Sequence, residues 1–128
     1  MREVDVVVID DNEGICWIFQ QTLALCNLSC IPVTDAMEGF RAVIRYRPHL
    51  AVIDIKLGAM NGFEVARLIR RENRDVKILF ITGYREALAA GTEIEDENIL
   101  GILEKPFNIP SLLEMIAEIF GLPAPQGN

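Results

Sequence analysis

The sequence predicts an α/β fold, a (βα)5 arrangement in which five parallel strands form one sheet with helices on both faces. Five short runs rich in Val and Ile have strand length, and most are apolar throughout, which is typical of parallel strands buried on both faces. Between these runs apolar residues recur at helical spacing, and right-handed crossovers then place helices on both faces of the sheet. The predicted strands are residues 4–9, 30–33, 50–54, 77–82 and 99–103.

The predicted helices are supported by their apolar spacing and by capping residues. Asp35 is followed three residues later by Glu38, which is the pattern of a capping box at the start of the second helix. Asn108 is suited to cap the last helix. The residues at helical spacing are Ile15, Ile18, Phe19, Thr22 and Leu23; Phe40, Val43 and Ile44; Val65, Leu68 and Ile69; and Ile109, Leu112, Leu113, Ile116 and Phe120.

Length and composition indicate one domain. The chain has 128 residues, 51% of them hydrophobic, which is enough to fill one core. The net charge of −7 and the lack of a basic run argue against direct nucleic-acid binding. No apolar run approaches the roughly 20 residues of a membrane span, and MREVD does not resemble a signal peptide, so we expect a cytoplasmic protein. The domain is predicted over 1–121, with 122–128 as a disordered tail or linker stub.

The cysteine and histidine residues of this chain show no pattern typical of a metal or catalytic site. Cys16, Cys26 and Cys30 form no CxxC motif and leave an odd thiol under any pairing, so we expect free thiols in or near the core. The single histidine, His49, precedes an apolar run and is expected at a strand edge without a chemical role.

Polar side chains follow the predicted strands at their carboxyl ends. Asp10 and Asp11 end the first strand, Asp54 ends the third, Thr82 ends the fourth, and Lys105 follows the fifth. In an open α/β sheet the ligand site lies beyond these ends. We therefore expect all of these groups to meet in one crevice.

Three carboxylates at one site repel each other and require a counter-charge. A hard divalent cation with oxygen ligands supplies it, and Mg²⁺ is the cellular default. Mg²⁺ often bridges carboxylates to a phosphoryl oxygen, so the site is suited to phosphoryl chemistry. Thr82 can donate a hydrogen bond to one phosphoryl oxygen and Lys105 can offer a positive charge to another. One carboxylate is then the nucleophile.

The motifs IDDN, VIDIKLGAMNGFE, FITG and EKPF, in this order, resemble those of the receiver domain of two-component response regulators. The resemblance covers the chain from about Val4 to Phe120. It implies a flavodoxin-like fold with strand order 2-1-3-4-5. It also implies that Gly62 opens the third helix and that the Lys105–Pro106 bond is cis.

The resemblance also implies roles for the polar residues. Asp54 would accept a phosphoryl group from the phosphohistidine of a sensor histidine kinase or a histidine phosphotransfer protein. Thr82 and Lys105 would bind the phosphoryl oxygens and carry the signal to an unknown downstream protein target. The Mg²⁺ ligands would be Asp10, Asp11, Asp54 and the backbone carbonyl of Lys56.

Several positions depart from the family pattern. Gly58 stands where the family usually has proline, which predicts a looser loop after Asp54. Ile102 stands where receivers commonly carry an aromatic residue that moves on activation. The acidic segment 91–98 predicts a short or frayed fourth helix. Lys56 and Tyr84, which the family fold places beside the path of hydrolytic water, are both bulky and predict slow loss of the phosphoryl group.

Alternatives remain at this point. The chain is either a single-domain regulator or phosphorelay intermediate, or the receiver of a longer transcription factor or hybrid kinase. A hydrolase of the haloacid dehalogenase type also uses Asp and Mg²⁺, but it needs a second Asp two residues after the nucleophile, where this chain has Lys56. The sequence contains no GxxxxGK motif, which argues against a P-loop nucleotide enzyme. We therefore expect no enzyme activity beyond the domain's own phosphorylation and dephosphorylation.

Overall fold

The computed structural model describes residues 4–85 and 95–123. Its strands are β1 Val6–Ile9, β2 Cys30–Val33, β3 Leu50–Asp54, β4 Lys56–Leu57, β5 Met60–Asn61, β6 Lys77–Thr82 and β7 Ile99–Glu104. Its helices are α1 Glu13–Leu25, α2 Ala36–Tyr46, α3 Gly62–Glu72 and α4 Ile109–Phe120.

The main sheet has five parallel strands in the order β2-β1-β3-β6-β7. Because β6 and β7 are the fourth and fifth predicted strands, this is the predicted order 2-1-3-4-5, and the predicted fold is confirmed. Strands β1 and β3 are completely buried, whereas the edge strands β2 and β7 are only half-buried. The predicted bounds hold for β2, β3 and β6, while β1 begins two residues later than predicted, at Val6, and β7 extends to Glu104.

Two apolar cores lie on the two faces of the sheet. Alternate residues of each central strand point to opposite faces, so Val7 and Ile9 pack with α2 and α3, while Val6 and Val8 pack with α1 and α4. This double burial is the physical reason for strands that are apolar throughout.

A short hairpin follows β3 and was not predicted. Strands β4 and β5 pair antiparallel around Gly58, whose φ is +62°. Proline, whose φ stays near about −65°, cannot adopt this conformation. Glycine thus permits a tight turn that proline could not form, and the looser loop after Asp54 stays a prediction.

The predicted helix caps are confirmed. Asp35 accepts a hydrogen bond from the N–H of Glu38 at 2.9 Å, and Asn108 accepts one from Ser111 at 2.8 Å. Helix α4 ends at Gly121 in the left-handed region, with φ +65°. All three cysteines are free, as predicted. His49 lies directly before β3, where its ring contacts that of Phe120 at 4.8 Å.

Some predictions lie partly outside the described residues. Of the predicted fourth helix, 91–94 fall outside, and 95–98 lead into β7 through a turn. Of the predicted tail, 124–128 fall outside. Within the described ranges, no helix has both the length and the apolarity needed to cross a membrane.

Candidate functional site

Asp10 is held at the end of β1 by the first turn of α1. Its side chain is completely buried, and its Oδ1 accepts a hydrogen bond from the N–H of Asn12 at 2.9 Å. The Asn12 side chain caps α1 by accepting hydrogen bonds from Gly14 at 2.8 Å and Ile15 at 3.2 Å. The Cys16 thiol donates to the Asp10 carbonyl at 3.4 Å. The position of Asp10 thus depends on the start of α1.

Asp54 ends β3 and lies under the start of α3. The N–H of Gly62 donates to the Ile55 carbonyl at 2.7 Å, which brings the helix against the backbone of Asp54. A Cβ at position 62 would overlap the Asp54 carbonyl, so only glycine allows this approach. Gly62 opens α3 as predicted.

The predicted acidic cluster is present. Asp10, Asp11 and Asp54 each offer a carboxylate oxygen, and these oxygens lie within 4.8 Å of one another. Asp10 and Asp54 are buried, whereas Asp11 is exposed. The buried Oδ2 of Asp10 forms an ion pair with the Lys105 ammonium, 2.8 Å away. Three carboxylate oxygens this close together, two of them buried, are suitable ligands for a hard cation.

Lys105 lies against this cluster. Its Nζ is 2.8 Å from Asp10 Oδ2 and 3.4 Å from Asp54 Oδ2. Its backbone N–H donates to the Thr82 carbonyl at 2.7 Å, which ties the loop after β7 to the end of β6. The Lys105–Pro106 peptide bond is cis, as the resemblance implied.

The titration of the site follows from burial and charge. Desolvation, followed by the charge of Asp10, raises the pKa of Asp54 to about 6, and the Lys105 ammonium only partly opposes this rise. Desolvation alone would lower the pKa of Lys105, but the carboxylates of Asp10 and Asp54 outweigh it and raise that pKa. Near neutral pH the Lys105 ammonium therefore stays charged, and the Asp54 carboxyl, with its pKa of about 6, is mostly ionised.

Thr82 and two bulky side chains complete the edge of the sheet. Thr82 is completely buried, and its Oγ1 accepts a hydrogen bond from the N–H of Tyr84 at 3.0 Å. The Lys56 ammonium donates to the Tyr84 hydroxyl at 3.2 Å and lies 4.7 Å from the centre of its ring. The contact between Lys56 and Tyr84 was not predicted, because 28 positions separate these residues and no pattern in the sequence indicates that their side chains meet.

Two further residues, Asn12 and Cys16, contact the site without having been predicted to do so. Asn12 lies within the quoted motif IDDN, and a cap residue directly before a helix is a signal that could have identified it. Cys16 has no such signal, because its contact with Asp10 depends on the packing of α1.

The model of the response regulator receiver domain family matches residues 6–117. The chain therefore belongs to this family, the phosphoacceptor modules of two-component signalling.

Among curated relatives, the chain is 23% identical over 116 residues to the DNA-binding transcriptional regulator NtrC of Escherichia coli, covering 91% of this chain and 24% of NtrC. It is 27% identical over 114 residues to the C4-dicarboxylate transport transcriptional regulatory protein DctD of Pseudomonas aeruginosa, covering 89% of this chain and 24% of DctD. The chain thus spans about a quarter of the length of these relatives.

Among solved structures, its fold is similar to the response regulator protein TrrA of Thermotoga maritima in complex with Mg²⁺–BeF. The TM-score is 0.76 at 22% identity, covering 93% of this chain and 99% of that one.

Proposed function

We propose that Asp54 is the phosphoacceptor of this receiver domain. The observation that carries the proposal is the cluster of three carboxylates within 4.8 Å, with the Lys105 ammonium 3.4 Å from Asp54. A nucleophilic carboxylate beside a fixed positive charge and a group of oxygen ligands is suited to phosphoryl transfer. The phosphoryl donor is the phosphohistidine of a sensor histidine kinase or a histidine phosphotransfer protein.

The transfer is a displacement at phosphorus. A carboxylate oxygen of Asp54 forms a bond to phosphorus, and the bond from phosphorus to the donor imidazole nitrogen breaks. The electron pair of that bond stays on the imidazole nitrogen. The product is an acyl phosphate on Asp54. The nucleophile must be ionised, so its pKa of about 6 leaves it competent at neutral pH.

The acidic cluster suits Mg²⁺. We assign its protein ligands to Asp10, Asp11, Asp54 and the backbone carbonyl of Lys56, and the three carboxylate oxygens within 4.8 Å of one another support the assignment. When bound, Mg²⁺ neutralises the carboxylates and offsets charge on the transferred oxygens. The chain's own residues orient these ligands: the Asn12 N–H fixes the Asp10 carboxylate, and Gly62 allows α3 to pack on Asp54.

Thr82 and Lys105 are assigned to the phosphoryl oxygens. To donate to the phosphoryl group, the Thr82 hydroxyl must rearrange around its contact with Tyr84, and Lys105 must turn from Asp10 toward Asp54. These movements would alter the binding of a downstream protein target. We place the domain in the cytoplasm, with no direct nucleic-acid or membrane contact and no enzyme activity beyond its own phosphorylation and dephosphorylation.

The proposal is tested by intact-mass measurement after treatment with acetyl phosphate and Mg²⁺. Wild-type protein should gain one phosphoryl group that hydroxylamine removes, and Asp54→Ala should gain none. Asp35→Ala, which removes an exposed helix-capping carboxylate, is the matched control and should be labelled like wild type. Labelling that persists in Asp54→Ala would assign the acceptor to another residue.

A second candidate is that this domain works as the receiver of a longer regulator. This candidate is favoured by NtrC and DctD, because the part that matches this chain makes up only 24% of the length of each. The sequence of the full-length gene tests it: a reading frame that continues into a further domain on either side supports it, and one that starts at Met1 and stops after Asn128 opposes it.

A further inference from the structure

An aromatic pair joins the loop that carries Lys105 to the first helix. The ring of Phe107 meets the ring of Phe19 edge to face, with centroids 5.5 Å apart and an interplanar angle of 74°. Phe19 lies on α1 and is completely buried, whereas Phe107 is half-buried two residues after Lys105. The motif EKPF contains Phe107, but the proposed phosphoryl chemistry does not use this residue.

The same helix also holds the other member of the ion pair. The start of α1 fixes Asp10 through the N–H of Asn12 at 2.9 Å and the thiol of Cys16 at 3.4 Å. Both partners of the 2.8 Å contact between Lys105 and Asp10 are therefore tied to α1. Lys105 itself is held by its backbone hydrogen bond to the Thr82 carbonyl, and the loop that follows is held by the contact of the Phe107 ring with Phe19.

We propose that Phe107 is a positioning residue that holds the Lys105 ammonium against Asp10 by packing on Phe19. The proposal rests on the assignment of the acidic cluster as the Mg²⁺ site. A cation that binds Asp10 Oδ2 must displace the ammonium from that oxygen, because both need the same buried atom. Phe107 thus controls how strongly Lys105 competes with the metal ion.

A positioning role for Phe107 predicts a change in Mg²⁺ affinity opposite to the change expected from general loosening of the site. Loosening a site usually weakens metal binding, because its ligands lose their fixed positions. Loosening Phe107 releases the competitor and leaves Asp10 held by α1. Mg²⁺ should then bind more tightly, by roughly two- to tenfold, the factor that corresponds to the typical energy of an edge-to-face pair.

The experiment is calorimetric titration of Mg²⁺ into the full chain of 128 residues without any phosphoryl donor. Phe107→Ala should lower the Kd, and Phe107→Tyr, which keeps the ring, should return it to the wild-type value. Phe107→Leu keeps apolar volume without a ring and replaces Phe107→Ala if that variant fails to fold. Phe120→Ala is the control, because it also removes a half-buried ring, here at the opposite end of the sheet beside His49.

Two further measurements separate positioning from general loosening. In a Lys105→Gln background, Phe107→Ala should cause no additional change in Kd, because no ammonium remains to be positioned. In metal-free protein, Phe107→Ala should speed hydrogen exchange at the Lys105 amide, which donates to Thr82, while the Asn12 amide, which donates to Asp10, keeps its wild-type rate.

An unchanged or higher Kd in Phe107→Ala would overturn the proposal, as would an equal gain in the Lys105→Gln background. Acetyl phosphate labelling of wild-type Asp54 is scored separately. Absence of labelling at Asp54 in the wild-type protein would contradict the phosphoacceptor function. Tighter Mg²⁺ binding by Phe107→Ala in the same set of measurements would still support the positioning role.

Discussion

Lys105→Gln should tighten Mg²⁺ binding. The substitution replaces an ammonium with a neutral amide, and it removes a positive charge 2.8 Å from Asp10 Oδ2 and 3.4 Å from Asp54 Oδ2. At an effective dielectric constant of about 20, two unit charges about 4 Å apart interact by about 4 kcal/mol, so a doubly charged ion and a fixed ammonium would repel by about 8 kcal/mol. Lys105 must therefore move before the ion can bind.

The energy that matters is the cost of that movement. A hydrogen bond to a charged group contributes about 1.5–3 kcal/mol. The Lys105 side chain is 17% exposed, so after it leaves Asp10 its ammonium forms hydrogen bonds with water that offset part of this loss. About 1–2 kcal/mol remains, which corresponds to a Kd lower by about fivefold to thirtyfold in Lys105→Gln.

The assay is calorimetric titration of metal-free protein with Mg²⁺ at neutral pH and fixed ionic strength. Lys77→Gln is the matched control, because it removes the same charge from the start of β6, at the opposite end of the sheet, and should leave the Kd close to that of wild type. A Kd in Lys105→Gln equal to or higher than that of wild type would refute the idea that the ammonium and the metal ion compete for Asp10.

Three further predictions concern the same edge of the sheet. Because the pKa of Asp54 rises from its ordinary 3.8 to about 6, the folded protein binds this proton more tightly than the unfolded chain, and stability falls as pH rises between these values. Asp54→Asn should therefore stabilise metal-free protein by about 1–3 kcal/mol at pH 7 in urea unfolding, with the gain vanishing below about pH 4; an equal gain at both pH values would contradict this. Gly62→Ala should lower the free energy of unfolding by about 2–4 kcal/mol in the same assay, because the added Cβ would overlap the Asp54 backbone. A decrease smaller than about 0.5 kcal/mol would show that α3 shifts freely to make room. Lys56→Ala and Tyr84→Ala should each shorten the phosphoryl half-life by about twofold to tenfold, because their mutual contact narrows the approach of water, and unchanged half-lives would remove that role.

The sequence was sufficient for the sheet because its strands are short, apolar and separated by helical repeats. The convergence of Asp10, Asp54 and Thr82 followed from one rule, that the carboxyl ends of parallel strands share an edge. The hairpin of β4 and β5 was missed because strands of two residues carry no periodic signal, and a glycine alone did not distinguish a loose loop from a tight turn.

Contacts between side chains on separate loops could not be predicted from the sequence. The position of Lys105 was predicted only as part of the crevice, and its preference for Asp10 over Asp54 depends on distances of 2.8 and 3.4 Å that packing decides. The Phe19–Phe107 pair likewise depends on how α1 lies on the sheet. Spacing along the chain specifies which face or edge a residue reaches, whereas partner choice within that edge depends on rotamers and local packing.

The most direct test of the phosphoacceptor role is chemical location of the acyl phosphate in the wild-type protein. After treatment with acetyl phosphate and Mg²⁺, borohydride reduction converts the phosphorylated aspartate to homoserine, and peptide sequencing by mass spectrometry then finds the converted position. We predict homoserine at position 54 and intact aspartate at Asp10 and Asp11. Conversion at Asp10 or Asp11 with Asp54 intact would contradict the assignment of Asp54 as the nucleophile.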